Sequence, residues 1–111
     1  MSRDIPEADW KVFRQLHPVA LERFCERVLS ETARLTRETG KSSYERYLAL
    51  FKLIGKRDGE IAACFDDMRR STAVRQLVAI QSRGLLTDEE FARFSSETRA
   101  TLQSLLKLDR T

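Results

Sequence analysis

The sequence predicts an all-α fold, a compact bundle of five or six helices with short connections. Three observations carry this. No segment alternates apolar and polar residues for long enough to make a strand. Glycine and proline are scarce, four and two, so regular structure should run long between few breaks. Two capping boxes, Ser42 with Glu45 and Thr87 with Glu90, mark helix starts, because in each pair the two side chains satisfy otherwise free backbone N–H groups reciprocally. The chain has 111 residues, 41% hydrophobic and 33% charged, which fits a single globular domain, 1–111, with one core.

The first helix opens at Pro6, whose missing N–H costs nothing in a first turn. Glu7 and Asp9 complement the helix dipole there. Trp10, Phe13, Leu16 and His17 share one face. Pro18 disfavours helical backbone at His17, so a kink or break is expected between them. A second helix follows from Pro18 to about Glu38, with Leu21, Phe24, Cys25, Val28 and Leu35 as its apolar stripe. Its other face alternates in sign. Arg27 with Glu31, and Arg34 with Glu38, have the i, i+4 spacing of exposed ion pairs. Gly40 suits a left-handed helix end.

The third helix begins at the Ser42–Glu45 box. Its apolar residues, Tyr44, Tyr47, Leu48, Leu50, Phe51, Leu53 and Ile54, wrap most of the way round, the pattern of a central, buried helix. Gly55 is expected to end it and Asp58 to cap a fourth helix through Ile61, Cys64, Phe65 and Met68. A break near Arg70, with Ser71 as a fresh cap, separates this from a short helix carrying Val74, Leu77, Val78 and Ile80. Gly84 ends that helix, Leu85 and Leu86 tuck the corner inward, and Thr87 caps the last, with Phe91, Phe94, Leu102 and Leu105 as its stripe. Ser95 and Ser96 interrupt it, since serine favours caps over helix interiors. The core expected from these stripes includes Phe24, Leu48, Phe51, Phe65, Leu77, Phe91 and Leu105.

Several chemistries lack their residues. His17 is the only histidine, and a catalytic or metal-binding histidine needs partners. Cys25 and Cys64 both fall on apolar stripes, where a reduced cysteine behaves as a small buried hydrophobe. One histidine and two distant cysteines do not make a zinc site. No phosphate-binding glycine loop, dinucleotide fingerprint or nucleophile elbow occurs. The reading is a chain with no enzymatic activity, no cofactor and no metal. The N-terminus has no apolar leader and no run is long enough to span a membrane, so a cytoplasmic location away from membranes is expected.

The net charge of +3 is localised. Residues 52–83 hold seven bases and four acids, 7 − 4 = +3, and the rest of the chain sums to zero. Arg69, Arg70, Arg75 and Arg83, with Ser71 and Gln76 nearby, are therefore the candidate contacts to phosphate or to a partner. No aromatic residue interleaves them, which argues against stacking on single strands.

Leu77, Ile80, Gly84, Leu85, Leu86, Thr87, Glu89, Glu90 and Phe91 together resemble the short C-terminal oligomerisation module SHOCT, over residues 74–106. The resemblance implies two helices about a Gly-aliphatic-aliphatic-Thr corner and a role in association. The chain otherwise resembles short helical bacterial proteins, and its fifteen arginines to five lysines suit a GC-rich bacterial genome. The function expected is that of a small adaptor or regulator acting through helix-mediated protein–protein interaction or self-association as a homodimer. The alternative is a DNA- or RNA-binding regulator using the basic segment 69–83.

Overall fold

A computed structural model describes residues 4–110 of the chain, with side chains for 4–108; the other residues of the expected 1–111 domain lie outside this description. Five helices follow in order: α1 (Glu7–Thr36), α2 (Ser43–Phe65), α3 (Ala73–Ser82), α4 (Asp88–Phe91) and α5 (Ser96–Arg110). No strand occurs among the described residues.

Two expected breaks are absent. Pro18 lies inside α1, which continues unbroken through it. Proline removes one backbone hydrogen bond and crowds the preceding turn. Here tertiary packing on both sides compensates: Phe13 and Leu16 before it, and Ala20 and Phe24 after it, are all buried on one core. Gly55 and Gly59 likewise lie inside α2 and end nothing. Expected helices one and two are therefore one, and so are three and four.

Other signals hold at the residue level. Ser42 and Glu45 form their capping box, with N–H···O distances of 3.1 and 2.9 Å. Gly40 and Gly84 both take positive φ, 88° and 65°, where a Cβ would be strained. The α3 end is a Schellman turn: Gly84 N–H donates to Gln81 O at 3.0 Å and Leu85 N–H to Ile80 O at 3.4 Å. Thr87 and Glu90 box the start of α4. The break near Arg70 is present, with Thr72 rather than Ser71 preceding α3. Ser95 separates α4 from α5, and its Oγ accepts from Thr98 N–H at 3.3 Å.

The core gathers Phe13, Leu16, Ala20 and Phe24 of α1, Cys64 and Phe65 of α2, Leu77 and Ile80 of α3, Leu85 and Leu86 of the corner, and Phe94 and Leu102. It occupies one end of the molecule. No residue of α1 beyond Val28 and none of α2 before Cys64 is buried. The remainder of α1 and α2 extends from the core as a two-helix arm. The molecule accordingly measures 54 × 26 × 26 Å, with a radius of gyration of 16.7 Å against about 13 Å for a compact chain of this length.

The arm is tied down by charge. Arg57 of α2 pairs with Glu31 of α1 at 2.8 Å and also with Glu60. Glu60 in turn accepts from Arg83 at 3.2 Å. Glu31, expected to pair with Arg27 along a solvated face, is thus spent on α2. Arg27 instead donates to the carbonyls of Arg83 and Gly84, at 2.5 and 2.8 Å, capping the end of α3. Arg23 holds Glu90 at 2.6 Å and Leu85 O at 2.8 Å. Its guanidinium, with the Thr87 N–H, pushes the Glu90 carboxyl down to about 2.

Cys64 is buried and Cys25 half-buried. Burial pushes the Cys64 thiol above its ordinary pKa. In the folded protein a thiol reagent should modify Cys25 first, and Cys64 only as fast as the core opens. Native labelling of Cys64 at its denatured rate would contradict this packing.

Candidate interaction surface

α2 presents two stripes of different fate. Arg46, Leu50, Leu53, Arg57, Glu60 and Cys64, spaced 4, 3, 4, 3, 4, are half-buried or buried. Arg46 donates to Thr36 O at 2.6 Å, Arg57 holds Glu31, and Leu53 shares a cleft with Leu35. This stripe faces α1. Tyr44, Tyr47, Phe51 and Ile54, spaced 3, 4, 3, form the other, and they are 68, 60, 69 and 47% exposed.

The expectation that this helix is central is therefore overturned. Phe51 is exposed and Leu48 only half-buried, because no described element covers the outer face of α2. Helices α3, α4 and α5 are short and pack at the core end. Phe91 and Leu105 are half-buried, while Phe24, Phe65 and Leu77 are buried as expected.

At roughly 200 Å² per ring, the three aromatic side chains leave on the order of 400 Å² of apolar surface in water. A patch of this size matches the largest apolar patch on an ordinary monomer, and such patches are often functional. Further along the same face lie Gly55, Asp58, Gly59 and Ala62, all exposed. Asp58 is the face's only charge; Lys52 and Lys56 flank it.

The four candidate arginines are not brought together as one bare surface. Arg69 pairs with Asp67 at 2.8 Å in the turn after α2. Arg70 donates to Ile5 O at 2.9 Å, tying that turn to the N-terminus. Arg83 is held by Glu60 and by Ala79 O. Arg75 is exposed on α3. Gln76 is buried and donates to Asp66 O, so it is turned away from any phosphate.

His17 is structural in its surroundings. Its Nε2 lies 3.0 Å from Phe65 O, and its ring meets Phe13 and Phe65 edge-on at 5.7 and 5.4 Å. Among the described residues no group of three His, Cys, Asp or Glu side chains is placed to hold a metal. No described helix is long and apolar enough to cross a membrane. Comparison with known proteins finds no matching family model, no matching curated protein and no similar solved structure.

Proposed function

We propose that this chain is a non-enzymatic interaction module that acts by presenting the outer face of α2 to a protein partner. The observation that carries the reading is the exposure of Tyr44, Tyr47, Phe51 and Ile54 on one side of a helix held away from the core. Tyrosine and phenylalanine are enriched in the buried centres of protein interfaces, where they supply much contact area for few rotatable bonds. Water gains nothing from this face, and a helix or helix pair laid along it would recover the hydrophobic free energy that the fold leaves unused. The core end serves as the anchor, and the Arg57–Glu31–Glu60–Arg83 network fixes the angle of the arm.

A photoreactive phenylalanine analogue at position 51, used in cells that express the protein, tests this. Irradiation should yield a protein adduct of discrete mass. The same probe at Glu22, on the exposed side of α1, should yield none. Adducts to nucleic acid alone, or no discrete adduct from position 51, would overturn the reading.

A further inference from the structure

The outer face of α2 is asymmetric along its length. Its N-terminal half carries three rings, Tyr44, Tyr47 and Phe51, spaced 3 and 4. Its C-terminal half is almost bare. Read backwards, Ala62, Gly59 and Gly55 are also spaced 3 and 4. The two series share one sum: 44 + 62, 47 + 59 and 51 + 55 are all 106.

Among the described residues no contact requires these two glycines. Each costs about 1 kcal/mol relative to alanine inside a helix. Nothing lies within 4 Å of a Cβ built at Gly55 or Gly59, and neither has positive φ. Neither close packing nor a turn demands them here, so the flat surface they create faces outward and unfilled.

Resting on the proposed role of this face, we infer that its occupant is a second copy of the same chain, with the two α2 helices antiparallel about a two-fold axis. In that arrangement Tyr44 lies over Ala62 of the second copy, Tyr47 over its Gly59 and Phe51 over its Gly55. Each match occurs twice, as a two-fold interface requires. The axis falls level with position 53, so Ile54 and its counterpart lie beside it, two residues apart along the helices. It lies near the middle of Ser43–Phe65, so the helices overlap along almost their full length and the two cores sit at opposite ends. At 100° per residue the bare half is turned about 55° round the helix from the ring half, so the axes cross.

The area suffices. The rings, Ile54 and the surface they cover would bury on the order of 600 Å² per copy and 1,200 Å² in all, the lower bound for a specific stable pair. The two Asp58 carboxylates fall ten residues apart along the shared axis and do not confront each other. A foreign helix would have to supply small residues at the same reversed spacing, whereas a second α2 already carries them.

Sedimentation of the purified full chain over a wide concentration range should show a reversible monomer–dimer equilibrium. Gly59→Leu is the decisive variant. It should raise the melting temperature at low concentration, since leucine favours helix over glycine, yet weaken the dimer at least about tenfold. In a Cys25→Ser background, Ile54→Cys should form a disulfide with itself. Tyr47→Cys should cross-link to Gly59→Cys when the two chains are mixed, and not to itself. A chain that stays monomeric to hundreds of micromolar overturns the inference, as does a dimer indifferent to Gly59→Leu or cross-linked in another pattern. If the monomeric chain still gives a discrete foreign adduct from position 51, the interaction surface stands and only its occupant is wrong. If it gives none, both fail.

Discussion

Phe13→Ala should cost about 3–5 kcal/mol, a large share of the 5–15 kcal/mol that holds a domain of this size together. Phe13 is completely buried. Its ring lies 6.0 Å from Trp10 and 5.7 Å from His17, while His17 in turn meets Phe65 at 5.4 Å and Phe65 meets Phe24 at 6.1 Å. This row of rings joins the first half of α1 to the end of α2. Truncation would remove the transfer free energy of the ring and leave a cavity that neighbours fixed on a continuous helix close only in part. Phe51→Ala should change stability by only about 0.5 kcal/mol, because that ring is already in water. Urea titrations of the two variants, run dilute enough to exclude self-association, compare them directly. Equal losses would mean that α2 is covered within the monomer.

The contrast between these two phenylalanines shows where the sequence is legible. Local backbone chemistry reads well. The Ser42–Glu45 and Thr87–Glu90 boxes and the left-handed Gly40 and Gly84 stand where their residue types require them, since each motif is closed within a few residues. Breakers inside long helices read poorly. The local cost of Pro18, Gly55 or Gly59 is set against packing that local sequence does not display. The candidate surface was hidden for a related reason. An apolar pattern that wraps a helix says how many faces are apolar and leaves open what covers each. Here one face meets α1 and the other is left uncovered by the described residues. The reversed spacing of rings and small residues was the available signal, and it becomes meaningful only once α2 is known to pass unbroken through both glycines. Charged residues follow the same rule. Arg27 and Glu31 have the spacing of an exposed pair and Asp9 that of a first-turn acid, yet each binds a different element.

Asp9 carries the largest polar effect expected. It reads as a first-turn acid of α1, yet it is buried and reaches α5. Its carboxylate accepts from Ser95 N–H at 2.8 Å, from Ser95 Oγ at 2.7 Å and from Thr98 Oγ1 at 2.5 Å. This side chain ties the first turn of α1 to the first turn of α5, at the positive end of the α5 dipole. Burial alone would raise its pKa, but the hydrogen bonds from Thr98 and Ser95 outweigh it and hold the carboxyl below the ordinary value. Asp9→Ala would strand the buried Thr98 hydroxyl and release Ser95, whose Oγ caps α5, at an expected cost of about 2–3 kcal/mol near neutral pH. Asp9→Asn keeps one acceptor oxygen and should cost less. The pH dependence follows from the sign of the shift. A depressed carboxyl binds its proton less readily folded than unfolded, so its contribution is complete above the unfolded value of about 3.9 and is lost as pH falls through the folded one. The stability gap between wild type and Asp9→Ala should therefore be widest from about pH 5 upward and shrink on acidification, as wild type protonates the same group. Chemical denaturation of both proteins from pH 7 down to pH 3 measures that gap. A gap that stays constant or widens in acid would mean that the folded protein does not hold Asp9 as a carboxylate, and that something else joins α1 to α5.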